Sequence, residues 1–353
     1  MKKAKPKTSA RTMTVLAAVL LLVAAGLWWA WRRGLTFDVH SVLRQLHGVA
    51  WWHIAAGILC IYGSYVVRGY RWSVFMRRQR SIGPFFLLGP QFTGFTAVAI
   101  FGRIADLSRP YLVARKAQVS LPSQIAVYTV ERMFDLGAAA LIFSSALAFT
   151  PATMPHHEIF VRVGVVSLAG TLFLAGFAVA IRLAGIRLAA VLGRMGTRLS
   201  PKLGVAVQEK VLAFRDGLQG IGSVGVAAWA GVLSLFQWLL IALSYVQTVH
   251  AFAAEPTLRS LSFASTMLLM GASIGSSLLQ LPVLGWFTQI GATAGSMHAF
   301  YGTPLETATA CGTLLLIVNI LCIVPAGLIC ARQDGVSLTD LKARSETAEE
   351  AAV

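Results

Sequence analysis

Acidic residues are scarce. The chain has 14 Asp and Glu in 353 residues against 30 Lys and Arg, and charged residues of both signs make up only 12%. An average soluble domain carries about 25% charged residues. A chain this long with so little charge lacks the polar surface of a cytosolic enzyme, a disordered protein or a nucleic-acid binder. Cysteine is also scarce. Cys60, Cys311, Cys322 and Cys330 lie in apolar runs, without the short spacings of zinc or redox motifs. They read as small buried apolar residues. There is no Gly-x-x-x-x-Gly-Lys-Ser/Thr phosphate loop, which excludes ATP as a driver through that device. There is no Asp-x-x-Asp of the kind that holds magnesium in prenyl-diphosphate enzymes. These absences indicate no metal site, no cofactor and no assigned catalytic residue.

What is present is apolar: 56% of residues are AVILMFWYC, and mean hydropathy is +0.70. A helix needs roughly 20 apolar residues to cross a bilayer core. Met13–Trp31, Ala50–Val67, Ser123–Thr150, Ile159–Ile181, Val224–His250 and Leu305–Cys330 all approach or exceed that length. Arg32 and Arg33 stand where a signal peptide would need small residues, so Met13–Trp31 reads as an uncleaved first span. Residues 84–101 and 261–301 are apolar but interrupted by Gly89-Pro90, Gly94, Gly271, Gly275, Pro282, Gly285 and Gly291. Such density suits re-entrant segments, which lipid tolerates where protein or a wet cavity covers the backbone.

Charge placement orients the chain. With residues 84–101 dipping in and returning, the basic clusters Met1–Thr12, Arg68–Arg80, Arg103–Lys116, Arg182–Gly222 and the tail all fall on one side. They hold most of the 30 Lys and Arg, and the side with that excess is the cytoplasm. The expected fold class is therefore all-α polytopic membrane protein. It has about six full transmembrane helices, two broken re-entrant segments and both termini in the cytoplasm. Residues 1–12 form a basic N-terminus, 13–331 one integral membrane domain, and 332–353 a polar tail. The second irregular segment then enters from the outside. Each is followed by a Pro-led span, at Leu121-Pro122 and Thr303-Pro304, offset by the same interval in Ala126 and Ala308. Similar units of opposite orientation are the inverted-repeat plan of many transporters. Within the cytoplasmic loop 182–222, Leu203, Val207, Val211, Phe214 and Leu218 share one helical face. This predicts an amphipathic surface helix against anionic lipid.

Ionisable residues inside spans are costly and mark sites or scaffolds. Glu131 and Asp135, with Arg132, lie two to three turns into a span. Arg103, Arg109 and Arg115 are the expected partners.

Gly102-Arg103-Ile104-Ala105-Asp106-Leu107-Ser108-Arg109-Pro110, followed by Glu131-Arg132-Met133-Phe134-Asp135, resembles the flippase-like membrane domain of lysylphosphatidylglycerol synthases and their stand-alone relatives. A looser third landmark is Pro282-Val283-Leu284-Gly285-Trp286-Phe287-Thr288-Gln289. The likeness runs from about Trp51 to Ala331. Phe101 stands where the family usually has Pro, Ala105 where it has Gly, Gln289 where many members have Glu, and Asn319 where some have His. The short segment after Ala331 is no aminoacyl-transferase domain, so lysyl-lipid synthesis is not expected.

The resemblance implies translocation of membrane lipids or lipid-linked precursors, in the bacterial cytoplasmic (inner) membrane. Arg103, Asp106 and Arg109 would take the anionic headgroup. Glu131, Arg132 and Asp135 would form an intramembrane polar network. Pro282, Gly285, Thr288, Gln289 and Asn319 would line the second hairpin. Membrane lipids and lipid-synthesis enzymes are the expected partners, and nucleic acid is not one. The alternatives are a non-transporting partner of a lipid-synthesis complex, an intramembrane lipid-modifying enzyme, or carboxylates that only neutralise Arg103, Arg109 and Arg132.

Overall fold

The computed structural model describes residues 44–77, 80–150, 157–197, 204–209, 223–276 and 284–337, with a few isolated positions between them. The expected first span, the two termini, Pro282 and half of the Leu203–Leu218 amphipathic segment, including Leu203, Phe214 and Leu218, lie outside the described residues. All regular structure among the described residues is helical. The chain is an all-α polytopic integral membrane protein.

The frame is a long antiparallel pair, α1 (Trp51–Met76) and α6 (Val224–His250). The Ala50 amide donates to the Ala251 carbonyl at 2.8 Å. His53 Nδ1 meets Gln247 Oε1 at 2.5 Å. Gly57 faces Ser244 and Thr248, and near the far end Arg71 bonds Ser234. A missing Cβ at Gly57 lets the two backbones approach, the usual device where lipid removes the hydrophobic drive to pack.

Two helical hairpins insert from opposite ends of this frame. The first is α2 (Pro84–Phe101) and α3 (Ser108–Ala117). The expected break within residues 84–101 is absent: α2 stays helical through Gly89-Pro90 and Gly94. The reversal follows at Gly102, whose φ of 75° is a conformation that glycine adopts without steric cost. Gly94 then packs on the Arg109 backbone, and Leu87 shares a cluster with Val113 and Ala117. The base of this hairpin lies at the Met76 end, where Gly69 abuts the Pro84 carbonyl.

The second hairpin is formed by two further helices. We label Leu121–Ala148 α4 and His157–Thr197 α5, so these are α7 (Phe263–Ser276) and α8 (Leu284–Tyr301). The Tyr301 hydroxyl donates to the Ser265 carbonyl at 3.0 Å, and Gln289 Nε2 to Ser273 Oγ at 2.7 Å. Its base lies at the Trp51 end, where His250 Nε2 meets the Leu261 carbonyl at 3.0 Å. The tips touch: Trp286 Nε1 donates to the Ala99 carbonyl at 3.1 Å.

Three expected boundaries move. Apolar composition ends at Val67, but α1 continues to Met76 and takes Arg68 and Arg71 into a buried helix rather than a loop. Helix α5 continues past Ile181 to Thr197, with one non-helical residue at Ala184. The last pass is broken. Helix α9 (Leu305–Asn319) ends at Ile320, and α10 (Val324–Gln333) resumes after a short 3₁₀ turn. The Cys322 carbonyl freed at this break accepts from the Tyr62 hydroxyl at 2.9 Å. Among the described residues, four stretches are long and apolar enough to cross a membrane: α2, His157–Phe177, α6 and Leu305–Gln333. Helices α1 (26 residues) and α4 (28 residues) are also long enough and carry the ionised side chains described next.

Candidate functional site: a buried arginine–carboxylate cluster

Helix α4 places Glu131 and Asp135 one turn apart on its buried face. Glu131 is fully buried, so its charge requires partners. It has three. Arg68 Nη1 lies 2.6 Å from Oε1, Arg71 Nη2 3.0 Å from Oε1, and Arg109 Nη1 3.1 Å from Oε2. Asp135 is shared by Arg71 Nη2 at 2.8 Å and Arg68 Nη1 at 3.3 Å. Planar guanidinium groups suit such sharing, because each presents several donors in a fixed fork.

Two aromatic rings order the cations. Phe95 of α2 lies between Arg68 and Arg109, with guanidinium carbons 4.7 Å and 4.3 Å from the ring centre. Tyr128 lies under Arg109 and Arg132 at 4.9 Å and 5.1 Å. The Tyr128 hydroxyl also hydrogen-bonds Asp106, in the turn of the first hairpin. Asp106 lies 3.6 Å from Arg109 Nη2.

The charges do not balance. Arg68, Arg71, Arg109 and Arg132 face Asp106, Glu131 and Asp135, which leaves one positive charge in excess among the described side chains. Nor are the donors all used. Among the described residues, Nε and Nη2 of both Arg109 and Arg132 have no hydrogen-bond acceptor. The cluster is open on one edge, since the Arg132 and Asp106 side chains are 36% and 33% exposed while Arg71, Arg109 and Glu131 are at 0%. In depth, Glu131 lies about 15 Å along α4 from its start, well inside a roughly 30 Å core.

Of the two expected cation partners whose side chains are described, Arg109 reaches the carboxylates. Arg115 is exposed at the far end of α3, and the Arg103 side chain lies outside what is described. Arg68 and Arg71 take those places. Their signal was the i,i+3 spacing continuous with the apolar Tyr65, Trp72 and Phe75, which extends a helix rather than starting a loop.

The second hairpin holds a separate neutral centre. Gln289 donates to Ser273 Oγ, which is 2.9 Å from the Tyr245 hydroxyl. Gly285 is buried in the first turn of α8. Among the described residues, Thr288 donates to the Gly285 carbonyl and Asn319 to the Leu315 carbonyl, within their own helices. Gly271-Ala272-Ser273-Ile274-Gly275 has the Gly-x-Ser-x-Gly spacing of an acyl-transfer elbow. Here it lies in helical turns at the end of α7 rather than at a strand-to-helix turn. Gln237, fully buried on α6 with no hydrogen-bond partner for either amide atom among the described residues, lies along α6 between Tyr245 of this centre and Ser234 at the cation cluster.

In comparison with known proteins, the family described as Lysylphosphatidylglycerol synthase TM region matches residues 15–327. No curated protein and no solved structure matches the chain.

Proposed function

Because the chain belongs to the lysylphosphatidylglycerol synthase transmembrane family, whose setting is membrane lipid, we propose that it moves lipids or lipid-linked precursors between leaflets. The route is a polar groove between the two opposed hairpins, which together form an inverted repeat. The headgroup follows the groove while the tails stay in hydrocarbon. The observation that carries this reading is the buried cluster with one excess positive charge among the described side chains and with N–H groups of Arg109 and Arg132 that meet no hydrogen-bond acceptor there. Such donors suit the oxygens of a phosphate diester. The half-exposed edge at Asp106 and Arg132 gives a headgroup a way in. We place the chain in the bacterial inner membrane with the Met76 end of α1 and both termini cytoplasmic, following the basic residues.

The test is lipid movement in vesicles. Purified protein is reconstituted with a fluorescent phospholipid, and the label in each leaflet is read with an impermeant quencher. Arg109→Ala and Arg132→Gln should each abolish the protein-dependent movement while the protein still elutes as one folded species. Movement at the wild-type rate in both variants overturns the reading.

A second reading has its own support. Glu131 is so fully paired that the cluster also serves as a scaffold, as in a non-transporting partner of lipid-synthesis enzymes. A stably co-purifying enzyme, together with no lipid movement by the wild type, selects that reading. Covalent lipid turnover by the pure protein would instead select a lipid-modifying enzyme.

A further inference from the structure

Helix α5 is longer than a bilayer requires. Gly164 lies against the Leu147–Ala148 backbone at the Trp51 end of the bundle. From Gly164 to Ala184 the helix advances about 30 Å, the thickness of the hydrocarbon core. At Ala184 the backbone leaves helical geometry, with φ −123° and ψ 22°, and the helix then resumes to Thr197. The kink thus falls where the chain emerges from the core at the Met76 end.

The emergent stretch has two unlike faces. Gly185, Ala189, Gly193 and Gly196 are buried, and Gly193 packs on Gln208 and the Gly204 carbonyl. The opposite face carries Leu183, Val191 and Met195, which are 67%, 47% and 58% exposed. Arg187 and Arg194 lie on the same face, two turns apart, and both are exposed. Arg194 Nε donates to the Ala190 carbonyl at 3.2 Å, which lays the guanidinium along the helix. No acidic residue occurs between Arg182 and Thr197. An exposed apolar stripe facing water would be an association hazard. Interleaved with arginines, at the point of exit from a bilayer, it has the composition of a helix lying in the headgroup layer.

We propose that Leu183–Thr197 is a lipid-binding foot. Its apolar side chains enter the boundary of the leaflet at the Met76 end, and Arg187 and Arg194 bind the phosphates of anionic phospholipid there. The occupant is the protein's own membrane rather than another protein. The proposal does not depend on lipid movement.

A photo-crosslinking amino acid at Val191 of the full chain tests it. The protein is reconstituted in nanodiscs of phosphatidylcholine alone, or with added phosphatidylglycerol, and adducts are identified by mass spectrometry. Phosphatidylglycerol adducts are expected, enriched over its share of the lipid. Each basic residue near an anionic surface contributes about 1 kcal/mol. The R187Q/R194Q double variant should therefore lower the bound-to-free ratio by up to about thirtyfold, with an unchanged melting temperature. Equal adduct yield with and without phosphatidylglycerol, indifferent to the double variant, overturns the proposal, as does crosslinking to a second protein chain. Hydrogen exchange of residues 185–197 in the unmodified protein is the independent readout. Protection must rise when phosphatidylglycerol is added, and protection that ignores lipid charge overturns the proposal equally.

Discussion

The Trp286 indole nitrogen donates to the Ala99 carbonyl at 3.1 Å and so joins the tips of two hairpins whose bases lie at opposite ends of α1. This bond lies between the cation cluster and the neutral Gln289–Ser273–Tyr245 centre. On the proposed route, a headgroup passing between them displaces it. Trp286→Phe keeps most of the ring and removes the N–H. A net hydrogen bond is worth about 1 kcal/mol, so protein-dependent lipid movement should rise by up to about fivefold. An unchanged or slower rate in vesicles would show that the tip contact is no barrier.

Glu131 holds three arginines at once. Removing its charge leaves Arg68, Arg71 and Arg109 repelling one another in a low dielectric. Breaking a buried pair on one side costs about 3–5 kcal/mol. Glu131→Gln should therefore lower the melting temperature of the detergent-solubilised protein sharply. The double variant Glu131→Gln with Arg71→Met should recover part of the loss, because it removes one of the stranded charges. No recovery would mean that Arg71 has another acceptor strong enough to hold it, beyond Ser234 and Asp135.

Much of this was legible in the sequence. The Val224–His250 limits follow from apolar run length alone. Glu131 and Asp135 stood out because carboxylates inside a span need partners. Arg109 was among the expected partners and does pair with Glu131, but Arg68 and Arg71 were missed for a physical reason. Loop bias treats every arginine near a span end as solvated, but Arg68 and Arg71 continue the α1 helix for two more turns and point at α4. The interruptions in residues 84–101 were also misread. Pro90 and Gly94 look like breaks in one dimension, but Gly94 is where α3 needs a bare Cα and Pro90 lies within an unbroken helix. The break at Ile320 left no glycine or proline signal of its own before Pro325.

Gly94 tests that account. A Cβ there would run into the Arg109 side chain and lie against its backbone. The backbone cannot yield as the end of a flexible side chain can. Overpacking of this kind costs about 1–3 kcal/mol. Gly94→Ala should therefore destabilise the protein and shift Arg109 away from Glu131, with slower lipid movement than its loss of stability explains. Gly137, whose Cβ position faces open space in α4, is the control. Gly137→Ala should be neutral or stabilising, because alanine is the better helix former.

Two ion pairs of equal length should behave unequally. Lys116 Nζ lies 3.1 Å from Asp334 Oδ1, the same separation as Arg109 Nη1 from Glu131 Oε2. The first pair ties the end of α3 to the chain after α10, and its side chains are 28% and 31% exposed. The second is at 0% on both sides. Water screens the first, and exposed pairs contribute at most about 1 kcal/mol. Asp334→Asn should therefore change the melting temperature little, and high salt should erase even that difference. Glu131→Gln should remain costly at any salt concentration, because a Debye layer does not reach a buried charge. If Asp334→Asn proves as damaging as Glu131→Gln, then the strap at the hairpin base, and not burial, governs how firmly the first hairpin is held.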